Sequence, residues 1–129
     1  MNRRAFMTIA AGCSVVAGLT ALLFPAQLAA VFGITLDDVG RSQERLLGAA
    51  YLGYGAIAWA GREVRDNAAQ RAIAVGNLVS WCLSLAVTVI GIVTGLAGAQ
   101  AWLLVAIAVT FTAAWGYLAF TEASEVAPA

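Results

Sequence analysis

Long apolar runs separated by short polar stretches set the pattern of this chain. The first run, Ala5 to Phe24, follows Asn2-Arg3-Arg4 and stops at Pro25. At about 1.5 Å of rise per residue, roughly 20 apolar residues in a helix match the hydrocarbon thickness of a bilayer. Pro25 to Phe32 then reads as a short amphipathic helix with Pro in its first turn, Leu28, Val31 and Phe32 on one face, and Gly33 as its terminator. Such a helix is expected to lie along a membrane surface.

Asp37 or Asp38 can cap the next helix, whose apolar part runs from Leu46 to Ala60 and ends at Gly61, before Arg62-Glu63-Val64-Arg65-Asp66. Asn67 with Gln70 three positions later has the form of a capping box and opens a third apolar run, Ala72 to Thr94. Gly95-Leu96-Ala97-Gly98 makes a tight uncharged turn, and the fourth run is Ala101 to Phe120. The expected fold is all-α: a bundle of four transmembrane helices in up-down order, as a single domain. Its spans fall at about residues 5–24, 42–61, 72–94 and 101–120, with an interfacial helix near 25–32 and a short acidic tail over 121–129.

Composition agrees. Apolar residues make up 62% of the 129 positions and charged residues 11%, and the mean hydropathy is +0.87. Soluble domains carry roughly 25% charged residues. Formal charge is zero, all seven basic residues are Arg, and no basic cluster exceeds two adjacent residues, so a nucleic-acid footprint is missing.

Arginine placement sets the expected orientation, because short loops rich in positive charge stay cytoplasmic. Arg3, Arg4, Arg62, Arg65 and Arg71 fall on one side of the four spans, and Arg41 and Arg45 on the other. This predicts an inner-membrane protein with both ends inside. Trp59 and Trp102 sit near span ends and suit interfacial anchoring, whereas Trp81 and Trp115 lie deeper and are expected to pack between helices or face lipid. The N-terminal Asn2-Arg3-Arg4 also resembles a twin-arginine export signal, with Pro25-Ala26-Gln27-Leu28-Ala29-Ala30 as a cleavage region. A retained anchor is the preferred reading, since the apolar run exceeds the roughly 7–15 residues of an export signal. A lipoprotein reading at Ala10-Ala11-Gly12-Cys13 is weaker, because the apolar stretch before Cys13 is very short.

Helices in lipid associate through small residues and interhelical hydrogen bonds. Ladders at four-residue spacing occur at Ala10, Ser14 and Gly18; at Ala49 and Gly53; at Gly76, Ser80, Ser84 and Thr88; and at Ala106, Thr110 and Ala114, with Gly91 and Gly95 forming a GxxxG. The expected contact residues are Ser14, Gly18, Gly53, Gly76, Ser80, Ser84, Thr88, Gly91, Gly95, Trp81 and Trp115. They serve packing within one bundle on the bland reading, preferred for the third ladder, and self-association or partner docking on the functional one.

No ionisable group sits at mid-depth; the nearest are Asp37, Asp38, Arg41, Glu44 and Arg45 at the outer mouth, where Arg41 and Glu44 are one turn apart and can pair, and where Arg45 sits closest to the apolar run. With Tyr51, Tyr54 and Asn77 these residues could line a polar pocket; the bland reading is an interfacial ion pair and mutually satisfied side chains. Cys13 and Cys82 read as two small buried residues.

The chain has no His, which removes the usual haem ligand, the imidazole ligands of zinc and copper, and the commonest general base. Two separated Cys build no thiolate cage, and no buried carboxylate pair or Ser with an evident base is present. A non-enzymatic protein without metal or cofactor is expected, bound lipid being the one exception compatible with the sequence.

The run Glu44-Arg45-Leu46-Leu47-Gly48-Ala49-Ala50-Tyr51-Leu52-Gly53-Tyr54-Gly55-Ala56-Ile57-Ala58-Trp59-Ala60-Gly61-Arg62, preceded by Phe32-Gly33-Ile34 and Asp37, resembles the central signature of small, uncharacterised bacterial four-helix membrane proteins. The resemblance extends over most of the chain from Phe24 onward. It implies the same topology and no particular activity. The expected role is therefore that of an accessory or scaffolding subunit of a membrane complex, or of a homo-oligomer, in contact with lipid and with a membrane-protein partner. The alternative is a small permease or ligand-binding protein using the outer polar residues.

Overall fold

The computed structural model describes residues 2–121. Of the acidic tail expected over 121–129, Thr121 is the last residue of a helix and 122–129 lie outside the described residues. Among the described residues there are five α-helices and no strand: α1 Arg3–Leu23, α2 Pro25–Val31, α3 Asp38–Gly61, α4 Asn67–Val93 and α5 Trp102–Thr121, the last preceded by a 3₁₀ turn at Ala99–Ala101. They form two compact units, one ending at Glu63 and one beginning at Val64.

In the first unit α1 packs against α3, and α2 forms the connection. Asn2 caps α1 by accepting from the Ala5 amide at 3.3 Å. The helix stops because Pro25 has no N–H to donate and disfavours a helical residue before it. Phe24 N still donates to Thr20 O at 2.8 Å, and Pro25 opens α2 at its first position. Gly33, at φ 72, ends α2: its amide donates to Ala30 O at 3.1 Å and Ile34 N to Ala29 O at 3.0 Å. Only a residue free to adopt positive φ closes both carbonyls this way without strain. Asp37, rather than Asp38, caps α3, accepting from Gly40 N at 2.7 Å.

The second unit is a hairpin of α4 and α5. Its opening corrects the capping-box expectation: Asp66 is the cap, accepting from Ala69 N at 2.7 Å, while Asn67 is already helical. Gln70, buried, instead turns its amide back to donate to the Val64 carbonyl. Aspartate wins the cap because its charged carboxylate binds orphan amides more strongly and complements the positive helix end.

Among the described residues, three helices are long and apolar enough to cross a membrane: Arg3–Leu23, Asn67–Val93 and the segment Ala99–Phe120. The helix expected as the second span is not among them. Its first two turns carry Asp38, Arg41, Glu44 and Arg45, and the remainder is rich in Gly and Tyr. Length is not its shortfall, at 24 residues; average polarity is.

Candidate functional site

The closest helix contact of the first unit is built from glycine. A Cβ on Gly18 would lie 2.8 Å from Gly48 O, and one on Gly48 would lie 2.8 Å from Gly18 O and 3.0 Å from Leu22 N. A Cβ on Gly55 would meet Val15 Cγ2 at 3.1 Å, Ala11 O at 3.3 Å and Ser14 Cβ at 3.4 Å. Gly18 against Gly48, Ala11 against Gly55 and Arg4 against Glu63 define one antiparallel register. On each helix the small contacts recur every seven residues, Ala11 and Gly18 on one and Gly48 and Gly55 on the other. That is the spacing of a shallow left-handed crossing. Backbones this close gain dispersion and weak Cα–H···O contacts that lipid does not supply.

This seam includes Ser14 and Gly18 but not the ladder expected on α3. Ala49 and Gly53 are exposed, and nothing lies within 4 Å of a Cβ on Gly53; Gly48 and Gly55 take their place. Four-residue spacing found the helix but not the face, which the seven-residue repeat of glycine identifies.

In the second unit, the rings of Trp81 and Phe111 stack with centroids 4.6 Å apart and planes 8° apart. Leu78 lies 3.7 Å from a Cβ built on Gly116, which fixes the antiparallel course of α5 along α4. Trp115 is almost fully buried, whereas Trp59 and Trp102 are about half exposed near the ends of their helices, at 52% and 57%.

The ladder expected along α4 does not form one packing face. Each four-residue step turns about 40° around a helix of 3.6 residues per turn. The row therefore winds around α4, from Gly76, exposed with no atom within 4 Å of a Cβ, through half-buried Ser80 and exposed Ser84 to half-buried Thr88. The Thr88 hydroxyl is satisfied within its own helix, donating to Ser84 O at 2.8 Å, as on α5 Thr110 donates to Ala106 O. Gly91 and Gly95 form a helix stop instead of a crossing. Gly95, at φ 74, donates to Ile92 O at 3.1 Å, and Leu96 N donates to Gly91 O at 2.9 Å.

The polar candidates do not converge as a set. Arg41 pairs with Asp38 at 3.0 Å in place of Glu44. Glu44 is half-buried, Arg45 and Tyr54 are exposed, and Tyr51 is half-buried two turns after Glu44. Asn77, in the second unit, spends its amide on Ile73 O of its own helix at 2.9 Å. Both cysteines are free thiols on exposed positions, which corrects their expected burial. No group of three or more metal-ligating side chains occurs among the described residues.

An arrangement not anticipated from the sequence lies at the Arg end of the first hairpin. The Arg62 guanidinium sits over the Trp59 ring, 3.2 Å from its centroid, and Arg62 Nη2 is 3.3 Å from Glu63 Oε1. Arg4 Nη2, from the opposite helix, reaches the same oxygen at 3.7 Å. The three-residue spacing of Trp59 and Arg62 is the signal that could have found it.

A family model matches residues 2–118. The chain belongs to the family described as a domain of unknown function, DUF8292. The match takes in both hairpins, so the glycine seam and the aromatic stack belong to the family domain. No curated protein and no solved structure matches the chain.

Proposed function

We propose that this member of the family is a non-enzymatic integral membrane protein with four crossings and both ends in the cytoplasm, acting by lateral contact as an accessory or scaffolding subunit of a membrane complex or as a homo-oligomer. The observation that carries the reading is the state of α4. It is the longest helix, and only 6% of its most apolar stretch is buried. Val79, Leu83, Val87 and Ile90 are all exposed, with Gly76 and Ser84 open beside them. Apolar surface of this extent requires lipid or protein around it, and small residues on an open face let another helix approach closely. The fourth crossing is α3: its charged first turns sit at the outer surface, and its apolar part is seated by the glycine seam with α1.

Native mass spectrometry after gentle extraction from the source membrane tests this. The expected result is a stable assembly larger than one chain, dissociated by Gly76→Leu, which adds bulk where the fold has open space. A lone protomer under those conditions overturns the proposal. Co-extracted subunits of a different mass indicate an accessory role, and multiples of the chain mass a homo-oligomer.

A further inference from the structure

We infer that the Arg end of the α1–α3 hairpin is a seat for the headgroup of an anionic phospholipid, formed by Arg4, Arg62 and Trp59 and occupied in the unliganded protein by the Glu63 carboxylate. Two guanidiniums from different helices converge on one oxygen, Glu63 Oε1, at 3.7 Å and 3.3 Å. Like charges are not brought together without an anion between them, and a carboxylate presents oxygens much as a phosphodiester does. Two guanidiniums against the one Glu63 carboxylate leave this group of three side chains net positive.

Arg62 is the better-built half. Its side chain is 19% exposed, its plane lies on Trp59, and its Nε is buried with no acceptor, so the guanidinium is short of hydrogen-bond partners. Arg4, at 70% exposed, is free to swing toward a ligand. What makes the ligand a lipid and not a soluble anion is the apolar surface beside the charges. Trp59, whose ring lies under the Arg62 guanidinium, is itself half exposed. A molecule satisfying both features carries a negative headgroup and an acyl tail. Anionic lipids of the cytoplasmic leaflet attract basic side chains at the membrane surface, and Trp prefers the headgroup level.

The site rests on the membrane reading above. Reconstituting the full chain in nanodiscs of equal phosphatidylglycerol and phosphatidylcholine, and reading retained lipid by native mass spectrometry, separates the two claims. The wild type is expected to retain phosphatidylglycerol in preference. Arg4→Gln, at an exposed position that does not threaten folding, lowers that preference about fivefold, and Arg62→Gln does so at least as strongly. Glu63→Gln raises it by removing the internal competitor. Equal retention of the two lipids, or an Arg4→Gln variant matching wild type, overturns the site while leaving the membrane reading intact. Displacement of the lipid by millimolar inorganic phosphate overturns the lipid assignment in favour of a free anion. A chain that fails to enter nanodiscs overturns both.

Discussion

Replacing Gly48 by Ala tests the packing of the first hairpin directly. The added methyl would sit 2.8 Å from Gly18 O, roughly 0.6 Å inside the 3.4 Å at which ordinary contact begins, and 3.0 Å from both Ala21 Cβ and Leu22 N. Two of those three atoms are helix backbone, so no rotamer change relieves the clash. The helices must separate, which loosens the seam at Ala11–Gly55 as well. Overpacking of this kind costs about 1–3 kcal/mol. Gly53→Ala is the matched control: same helix, same chemical change, nothing within 4 Å. It should be neutral or stabilising by up to about 1 kcal/mol, the propensity gain of Ala over Gly in a helix. Both variants and wild type would be unfolded by titrating SDS into mixed micelles, with tryptophan fluorescence and helicity as parallel readouts. The expected order of stability is Gly53→Ala, at or above wild type, then Gly48→Ala. Gly18→Ala should match Gly48→Ala, and the double variant should lose less than the sum, because one separation relieves both clashes. Wild-type stability in Gly48→Ala, or equal losses at positions 48 and 53, would refute the close-approach argument.

Three further outcomes are expected from the same assay. Asp66→Ala should cost about 1 kcal/mol by removing the cap of α4, while Asn67→Ala changes little; the reverse order would restore Asn67 as the cap. Gly95→Ala should cost about 1–2 kcal/mol because φ 74 strains an L side chain, whereas Gly98→Ala, at φ −73, should not; equal effects would show that backbone conformation is not the cause. A double-mutant cycle of Trp81→Ala and Phe111→Ala should return a coupling of about 1 kcal/mol from the stacked rings, and additive losses would mean that the two rings contribute independently.

Much of the helical layout was legible because local chemistry dictates it. Pro25 ends α1 wherever the helix lies, Asp37 offers a side-chain acceptor to the next amides, and Gly33 and Gly95 supply the positive φ that a tight helix stop needs. Asn67 misled because the capping-box pattern ignores a better competitor one residue earlier. The GxxxG of Gly91 and Gly95 misled for a related reason, since one motif serves both a helix crossing and a helix end, and only the hydrogen bonds to the Gly91 and Ile92 carbonyls distinguish them. The membrane-length apolar helices were visible in the sequence, whereas α3 was expected as a span on the same footing although its polar start and glycine-rich body leave it less apolar than the rest.

By itself, then, the amino-acid order determined where helices start and stop and which of them are apolar, because capping, proline geometry and hydropathy act over a few neighbouring residues. Which face of each helix meets its neighbour was decided only by the folded hairpins. Gly53 is as small as Gly48 and Gly55, and α4 from Leu78 to Val93 carries no charged or amide side chain on any face, so side-chain size and polarity leave the choice of face nearly degenerate. That degeneracy is lifted by the approach of two backbones to contact distance, which is possible at Gly18 and Gly48; the antiparallel register it sets brings Arg4 and Arg62, already expected on one side, onto the same Glu63 oxygen.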